Sequence, residues 1–226
     1  MMLTPSAAFA QFSQVGLGAT DPDGFARIQV ENEDYGYVAR EAIWTSPKIN
    51  VCWENPTDSD TAFRRIVRTA VDESWALYSK VKFKGWLKCP TQGARLVRIK
   101  IANEPPRTQK LGRNLSNEVN GVVLNATYKI DGYRSCIESD EAFENCTRVT
   151  AVHEFGHVLG FAHEHNRKDR DVGCDALVDD DEEREALTDY DPESVMNYCA
   201  NVFANGGRLS ELDIVSIKLL YGAKDQ

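Results

Sequence analysis

All four histidines of this 226-residue chain lie in one stretch of thirteen residues, from His153 to His165. The stretch fits the pattern HExxHxxGxxH. His153 and His157 are four residues apart, so on a helix their side chains lie on one face, a turn apart. Gly160 is expected to end that helix with a positive φ, which glycine adopts at little energetic cost. His163 then approaches from a new direction, and the spacing predicts a helix and a sharp turn around one metal ion.

The donor set indicates which metal this is and what chemistry it supports. Three neutral imidazoles with one open position form a catalytic zinc site, whereas a structural site fills the fourth position with another protein ligand. We therefore expect His153, His157 and His163 to bind Zn2+. Glu154 lies beside them, where its carboxylate can act as general base on a metal-bound water. A solvated polar helix face is the alternative, but it accounts for neither His163 nor Gly160.

The run from His153 to Asp171 resembles the astacin branch of the metzincins, which shows HExxHxxGxxHExxRxDRD. Residues 194–198 read SVMNY and resemble the methionine turn of that clan, with Asn197 where astacins carry histidine. The resemblance implies an α+β, two-lobed catalytic domain with a twisted sheet, an active-site helix and a C-terminal helix. It also implies that Met196 forms a hydrophobic floor below the metal, and that the chain is of the bacterial or fungal astacin type.

Further side chains take their expected roles from this resemblance. Tyr198 is expected to act with Glu154 in catalysis, as an extra metal ligand or hydrogen-bond donor; a half-buried packing tyrosine is the alternative. Glu164 corresponds to a residue that engages the mature N-terminus in astacins, and a salt bridge with Arg167 is the alternative. His165 is expected to lie behind the metal ligands or at the surface, and not to bind the metal.

The expected function is that of a zinc-dependent endopeptidase, which hydrolyses peptide bonds through a metal-bound water with Glu154 as general base. Two alternatives stay open. One is a zinc amide hydrolase acting on a non-protein substrate, which the metal pattern alone does not exclude. The other is an inactive metzincin-fold binding module, which the intact Glu154 disfavours. The methionine turn and Glu164 favour peptide bonds, so the expected partner is a protein or peptide substrate.

Composition limits the other partners and the compartment. The net charge of −9 argues against nucleic acid, because phosphate recognition needs a basic surface. No stretch approaches the ~20 apolar residues of a membrane helix, and we expect a monomer. The six cysteines include no CxxC pair, which predicts disulfides and an oxidising compartment. Buried free thiols are the alternative to the preferred pairing, which is Cys52–Cys89, Cys136–Cys146 and Cys174–Cys199.

Residues 1–45 are expected to form an N-terminal arm, either a signal remnant or a short pro-segment, and residues 46–226 the catalytic domain. Ala8-Phe9-Ala10 resembles the end of a secretory signal, so we expect a secreted or extracellular protein with a truncated signal. Residue patterns predict strands at 48–53, 81–87, 95–102 and 121–127, of which the last resembles the substrate-pairing edge strand. Apolar spacing predicts helices at 61–80, 145–159 and 210–220, with N-caps Asp60, Thr147 and Ser210.

Overall fold

The computed structural model describes residues 17–20, 26–28, 36–91, 95–171, 173–174, 185–199 and 204–224. Contacts between Cα atoms divide the chain into two units, residues 1–33 and 34–226. In the first unit, β1 (Leu17–Thr20) and β2 (Ala26–Ile28) pair as antiparallel strands. The second unit contains all the other strands and helices that the structure describes.

The second unit begins before residue 46, which is the residue at which the sequence predicted the catalytic domain to start. Strand β3 (Gly36–Val38) belongs to this unit and pairs antiparallel with β9 (Glu185–Leu187). Val38 is fully buried and forms an isolated bridge with Phe161, inside the histidine run. Part of the expected N-terminal arm therefore packs against the histidine run at Phe161.

A five-stranded sheet forms the centre of the second unit. Its strands are β4 (Lys48–Trp53), β5 (Lys82–Lys88), β6 (Val97–Ile101), β7 (Arg107–Thr108) and β8 (Val122–Leu124). The order across the sheet is β5-β4-β6-β8-β7. The first four strands in that order are parallel, and β7 pairs antiparallel with β8. The four predicted strands are all present; the first has the predicted bounds, and the ends of the other three are shifted.

The prediction that residues 121–127 form the edge strand is wrong. Strand β8 lies between β6 and β7, so β7 is the edge. Arg107 pairs with Val123, and Thr108 pairs with Val122. A strand of two residues is too short to show an alternating pattern. The prolines just before it indicated only a loop.

The helices are α1 (Thr61–Asp72), α2 (Trp75–Tyr78), α3 (Asp140–Val158) and α4 (Glu211–Tyr221). The long helix predicted from residue 61 is interrupted at Ser74, whose hydroxyl donates to a carbonyl of the preceding turn at 2.7 Å. The break turns Trp75 inward, where its indole N–H donates to the carbonyl of Val152 at 2.8 Å. Asp60 precedes α1 but does not cap it, because its carboxylate accepts from Thr57.

The other two predicted caps differ in outcome. Ser210 caps α4 as predicted, since its hydroxyl accepts from the third N–H of the helix. Helix α3 begins at Asp140 and not at Asn145, and its cap is Ser139. Thr147 is fully buried within the helix. The first turns of α3 are polar and acidic, which suits the positive end of the helix dipole. Because these turns lack regularly spaced apolar residues, the sequence prediction placed the start of the helix too late.

Aromatic packing fixes α3 on the sheet. Phe155 stacks on Trp86 with ring centroids 5.6 Å apart, and meets Phe83 edge-on at 5.0 Å. Burying each such side chain contributes about 1.5–3 kcal/mol. Because Phe155 lies between the first two histidines of the run, this packing also fixes the position of those histidines above the sheet.

The predicted disulfides are all confirmed, and no cysteine is free; the pairs are Cys52–Cys89, Cys136–Cys146 and Cys174–Cys199. The last pair links the segment after the histidine run to the methionine turn. Within the described part of the chain, no helix has the length and apolar character needed to cross a membrane.

Candidate metal centre

The end of α3 brings the three predicted ligands together. His153 and His157 lie one turn apart on α3, and both are buried. After the helix, Phe161 N–H donates to the carbonyl of Gly156 and Gly160 N–H to that of His157, both at 3.0 Å. This is a Schellman motif. It turns the chain so that the third histidine of the pattern faces the first two.

Gly160 makes this turn possible. Its φ is +101°, and a Cβ there would lie 2.7 Å from Cδ1 of Ile43. Any other residue would meet backbone strain at this φ, and the end of the Ile43 side chain would have to shift to make room for the Cβ. The predicted role of Gly160 as the residue that ends the helix is therefore confirmed.

The three histidines converge through their Nε2 atoms. Nε2 of His163 lies 3.2 Å from Nε2 of His153 and 3.0 Å from Nε2 of His157. Among the residues that the structure describes, these three side chains form a group able to hold a metal ion. His165 is outside that group, as expected from the sequence.

Backbone carbonyls assign the tautomers of two of these histidines. Nδ1 of His153 donates to the carbonyl of Val195 at 2.7 Å, and Nδ1 of His157 donates to that of Phe161 at 2.8 Å. Their Nε2 atoms therefore carry lone pairs. Burial lowers the pKa of His153 to about 3, and burial also lowers the pKa of His163. A single N–H on Nε2 of His163 cannot point at both other Nε2 atoms, whereas a metal ion can accept a lone pair from all three nitrogens, so this donor set fits a metal ion.

The methionine turn packs directly beneath the histidines. Met196 is buried, and its Sδ occupies the space beside Gly156 on α3. A Cβ on Gly156 would lie 2.3 Å from that sulfur. Glycine between the two helical histidines is thus required for the methionine to fill this position. The structure places Met196 where the sequence resemblance placed it.

The same turn is held from below by α4. Asp213 accepts from the hydroxyl of Ser194 at 2.7 Å and from the N–H of Val195 at 3.0 Å. Val195 in turn accepts from His153. Asn197, which departs from the astacin pattern, is buried and donates to the hydroxyl of Tyr190 at 2.8 Å. The substitution therefore fits the turn without leaving its side chain unpaired.

Tyr198 lies against the histidines. Its ring stacks on His153 with centroids 4.7 Å apart, and it lies 4.8 Å from the ring of His163. The residue is 44% exposed, so its ring borders both the histidines and solvent. Partial burial and the negative charge of Glu154 raise the pKa of Tyr198, which keeps the phenol protonated and able to donate. His165 is buried behind it and accepts from the N–H of Tyr198 at 3.1 Å.

Glu154 is bound by a residue that the sequence patterns did not single out. The hydroxyl of Thr108, on edge strand β7, donates to Oε2 of Glu154 at 2.7 Å. Burial raises the pKa of Glu154 to about 8, while this hydrogen bond and the positive charge of Arg107 oppose the rise. No sequence signal marked Thr108, because the contact depends on how β7 lies beside α3.

Glu164 forms the salt bridge that the sequence offered as an alternative. Its carboxylate lies 3.2 Å from Nη1 of Arg167 and accepts from the N–H of Asp191 at 2.9 Å. Burial raises the pKa of Glu164 to about 7, and Arg167 opposes that rise. These contacts join the segment after His163 to the loop before the methionine turn.

Comparison with known sequences agrees with this geometry. Residues 141–218 match the profile of the astacin family of peptidases. Over 78 residues the chain is 37% identical to bone morphogenetic protein 1 of Xenopus laevis, covering 28% of this chain and 11% of that protein. Over 91 residues it is 36% identical to zinc metalloproteinase nas-5 of Caenorhabditis elegans, covering 34% of this chain and 23% of that protein. The chain thus spans less than a quarter of the length of these curated relatives.

Solved structures share the fold over most of the chain. A structure of myroilysin superposes with a TM-score of 0.58 at 20% identity, covering 84% of this chain and 100% of that one. A second myroilysin structure gives a TM-score of 0.52 at 19% identity, covering 80% and 86%. The expected mixed fold, with its sheet, histidine helix and C-terminal helix, is confirmed. The family match therefore covers residues 141–218, and the likeness to myroilysin shows a shared fold over most of the chain.

Proposed function

We propose that this chain is a zinc-dependent endopeptidase that hydrolyses peptide bonds in protein substrates outside the cell. One observation carries the proposal. Three buried imidazoles converge through Nε2 atoms, and a buried carboxylate, Glu154, lies next to the first of them on the same helix. The three disulfides support an extracellular location. We expect the protein to act as a monomer.

In this mechanism His153, His157 and His163 hold the ion through Nε2. A zinc ion held there would act as a Lewis acid, which lowers the pKa of a water ligand to about 7 and polarises a carbonyl group. Glu154 accepts the proton of the attacking water and then delivers it to the nitrogen of the leaving amine. A carboxyl whose pKa lies near neutrality suits both transfers, and burial raises the pKa of Glu154 into that range.

Thr108 positions the base in this proposal. Its hydroxyl donates a hydrogen bond to Oε2 of Glu154. The other carboxylate oxygen, Oε1, is then available for the proton transfer. A hydrogen bond to the ionised carboxylate also favours its basic form. Because Thr108 lies on the edge strand, the carboxylate is held between the sheet and α3. It keeps one orientation before substrate arrives.

Tyr198 stabilises the charge that develops on the substrate carbonyl oxygen. Its protonated phenol is at the edge of the histidine group and is partly open to solvent. A hydrogen bond from this phenol to the developing oxyanion is stronger in the transition state than in the bound substrate. His165 holds the backbone of Tyr198 in place.

The test separates peptide hydrolysis from both alternatives. The purified zinc-loaded protein is incubated with an unfolded, alkylated protein and, in parallel, with non-protein N-acyl amides. We expect internal cleavage of the unfolded protein, with new termini read by mass spectrometry. Turnover of the amides alone would favour the non-protein hydrolase. A zinc-loaded protein that cleaves neither would favour the inactive binding module.

A further inference from the structure

A groove lined by lysines lies in the second unit and shares no residue with the histidine site. Its volume is about 720 Å³. The groove is bordered by the starts of β4 and β5, the end of α1 and the segment after α4. Among the described residues that line it, the one carboxylate belongs to Asp72, and the cations belong to Lys48, Arg68, Lys80, Lys82, Lys84 and Lys224. We name this surface the lysine groove.

The lysine groove has the opposite charge to the chain as a whole. The chain carries a net charge of −9, yet cations outnumber carboxylates six to one in the groove. Asp72 already pairs with Arg68 at 3.5 Å. Lys48, Lys82 and Lys84 are exposed and form no ion pair with any residue that the structure describes. These positive charges repel one another, so a ligand with several negative charges would be bound favourably.

Protection of the sheet edge explains only part of this cluster. Lysines on an outer strand prevent unwanted strand pairing, and that accounts for Lys82 and Lys84 on β5. Lys48 lies on β4, which has a strand on each side. Arg68 lies on α1, and Lys224 follows α4. Four separate elements therefore direct positive charge to one recess.

The shape of the recess selects among anionic partners. A narrow chain can enter a recess and approach charges on all of its walls, whereas the flat face of a bilayer approaches only the charges at its rim. A single nucleic acid strand needs exposed aromatic faces on which to stack. The aromatic residue of the groove, Phe83, is only 6% exposed.

An acidic peptide added as a strand along β5 is also disfavoured. Gly85 and Trp86 have φ of 97° and 60°, and the pairing of β5 with β4 shifts register there. The outer edge of β5 is therefore not a regular template for another strand. Lysine ammonium groups are compact point charges, which suit the sulfate or carboxylate groups that repeat along a glycan. We propose that the lysine groove binds an anionic polysaccharide.

This binding is independent of the peptidase site and would hold the protein on an anionic matrix. The contacts lie at the protein surface, where charges more than about 8–10 Å apart are screened at physiological salt. The affinity should therefore fall as salt is added. It should depend on the positive charge of the groove and not on the net charge of the protein.

The test uses the full chain and a heparin oligosaccharide as the probe, with binding measured by calorimetry at about 50 and about 150 mM salt. We expect binding at the lower salt and weaker binding at the higher. The double variant Lys82→Glu/Lys84→Glu should bind at least about tenfold more weakly. The matched control is Lys88→Glu/Lys129→Glu, which changes the charge equally at exposed lysines outside the groove. It should bind nearly as the wild type does.

Three results would overturn the proposal. The first is no heparin binding by a wild-type protein with a normal melting temperature. The second is an equal loss of affinity in the control variant, because that would show a response to net charge alone. The third is tighter binding to vesicles of anionic lipid, or to poly-glutamate, than to heparin. Both double variants should keep the wild-type melting temperature and peptidase rate, which excludes misfolding as the cause.

Discussion

Backbone carbonyls decide the chemistry of individual side chains in this protein. A histidine can present either ring nitrogen, and the choice follows from the partner of the other nitrogen. The carbonyls of Val195 and Phe161 bind Nδ1 of His153 and His157, which leaves Nε2 for a metal. Thr108 fixes the orientation of Glu154 in a similar way. The contacts of His153 with Val195 and of Glu154 with Thr108 join residues from different parts of the chain, whereas that of His157 with Phe161 is local.

The contact of Thr108 with the base can be tested by two substitutions. Thr108→Val keeps the shape and removes the donor, so kcat on a defined peptide should fall about tenfold, since hydrogen bonds to charged groups contribute about 1.5–3 kcal/mol. Thr108→Ser restores the hydroxyl and should recover most of the rate, with KM and zinc content little changed in both variants. Equal rates for the valine and serine variants would contradict a positioning role.

The role of Tyr198 has a different kinetic signature. Removing a single oxyanion donor typically lowers kcat by ~10²–10³. Because the metal remains, we expect Tyr198→Phe to lower kcat by about tenfold, with KM and zinc content nearly unchanged. Steady-state kinetics with a defined peptide and metal analysis measure all three quantities. An unchanged kcat would show that the tyrosine only packs against the histidines.

At the scale of elements, α4 supports the metal centre although none of its residues is a ligand. The carboxylate of Asp213, in the first turn of α4, binds Ser194 and Val195 of the methionine turn. Val195 then binds His153. Two hydrogen bonds thus connect the start of the last helix to the first histidine. Movement of α4 would displace the carbonyl that fixes the tautomer of His153.

Asp213→Ala should therefore weaken zinc binding as well as the fold. Loss of groups that orient metal ligands typically lowers metal affinity by about 10–100-fold, and we expect about tenfold here. The melting temperature should also fall, because buried donors lose their acceptor. Glu211→Ala, an exposed residue of the same turn, is the control and should change neither quantity. A normal zinc affinity in Asp213→Ala would disprove the connection.

At the scale of the whole molecule, the sequence predicted most of what local patterns can encode. The histidine run, the turn at Gly160, the sheet strands and the disulfide pairs are all present in the structure. Residue spacing did not reveal strand β7, the first turns of α3 or Thr108. A two-residue strand has no pattern of its own, and the start of α3 is polar. The contact of Thr108 with Glu154 exists only because the sheet places β7 beside the helix.

The proposed mechanism depends most directly on Glu154 as the base beside a zinc held by three histidines. The decisive measurement compares Glu154→Gln with the wild type for zinc content, melting temperature and cleavage of a defined peptide. The substitution keeps the shape of the side chain and removes its ability to accept a proton. We predict about one zinc per chain in both proteins, similar melting temperatures, and a rate at least ~10²-fold lower in the variant. A zinc-loaded variant that cleaves at nearly the wild-type rate would contradict the mechanism.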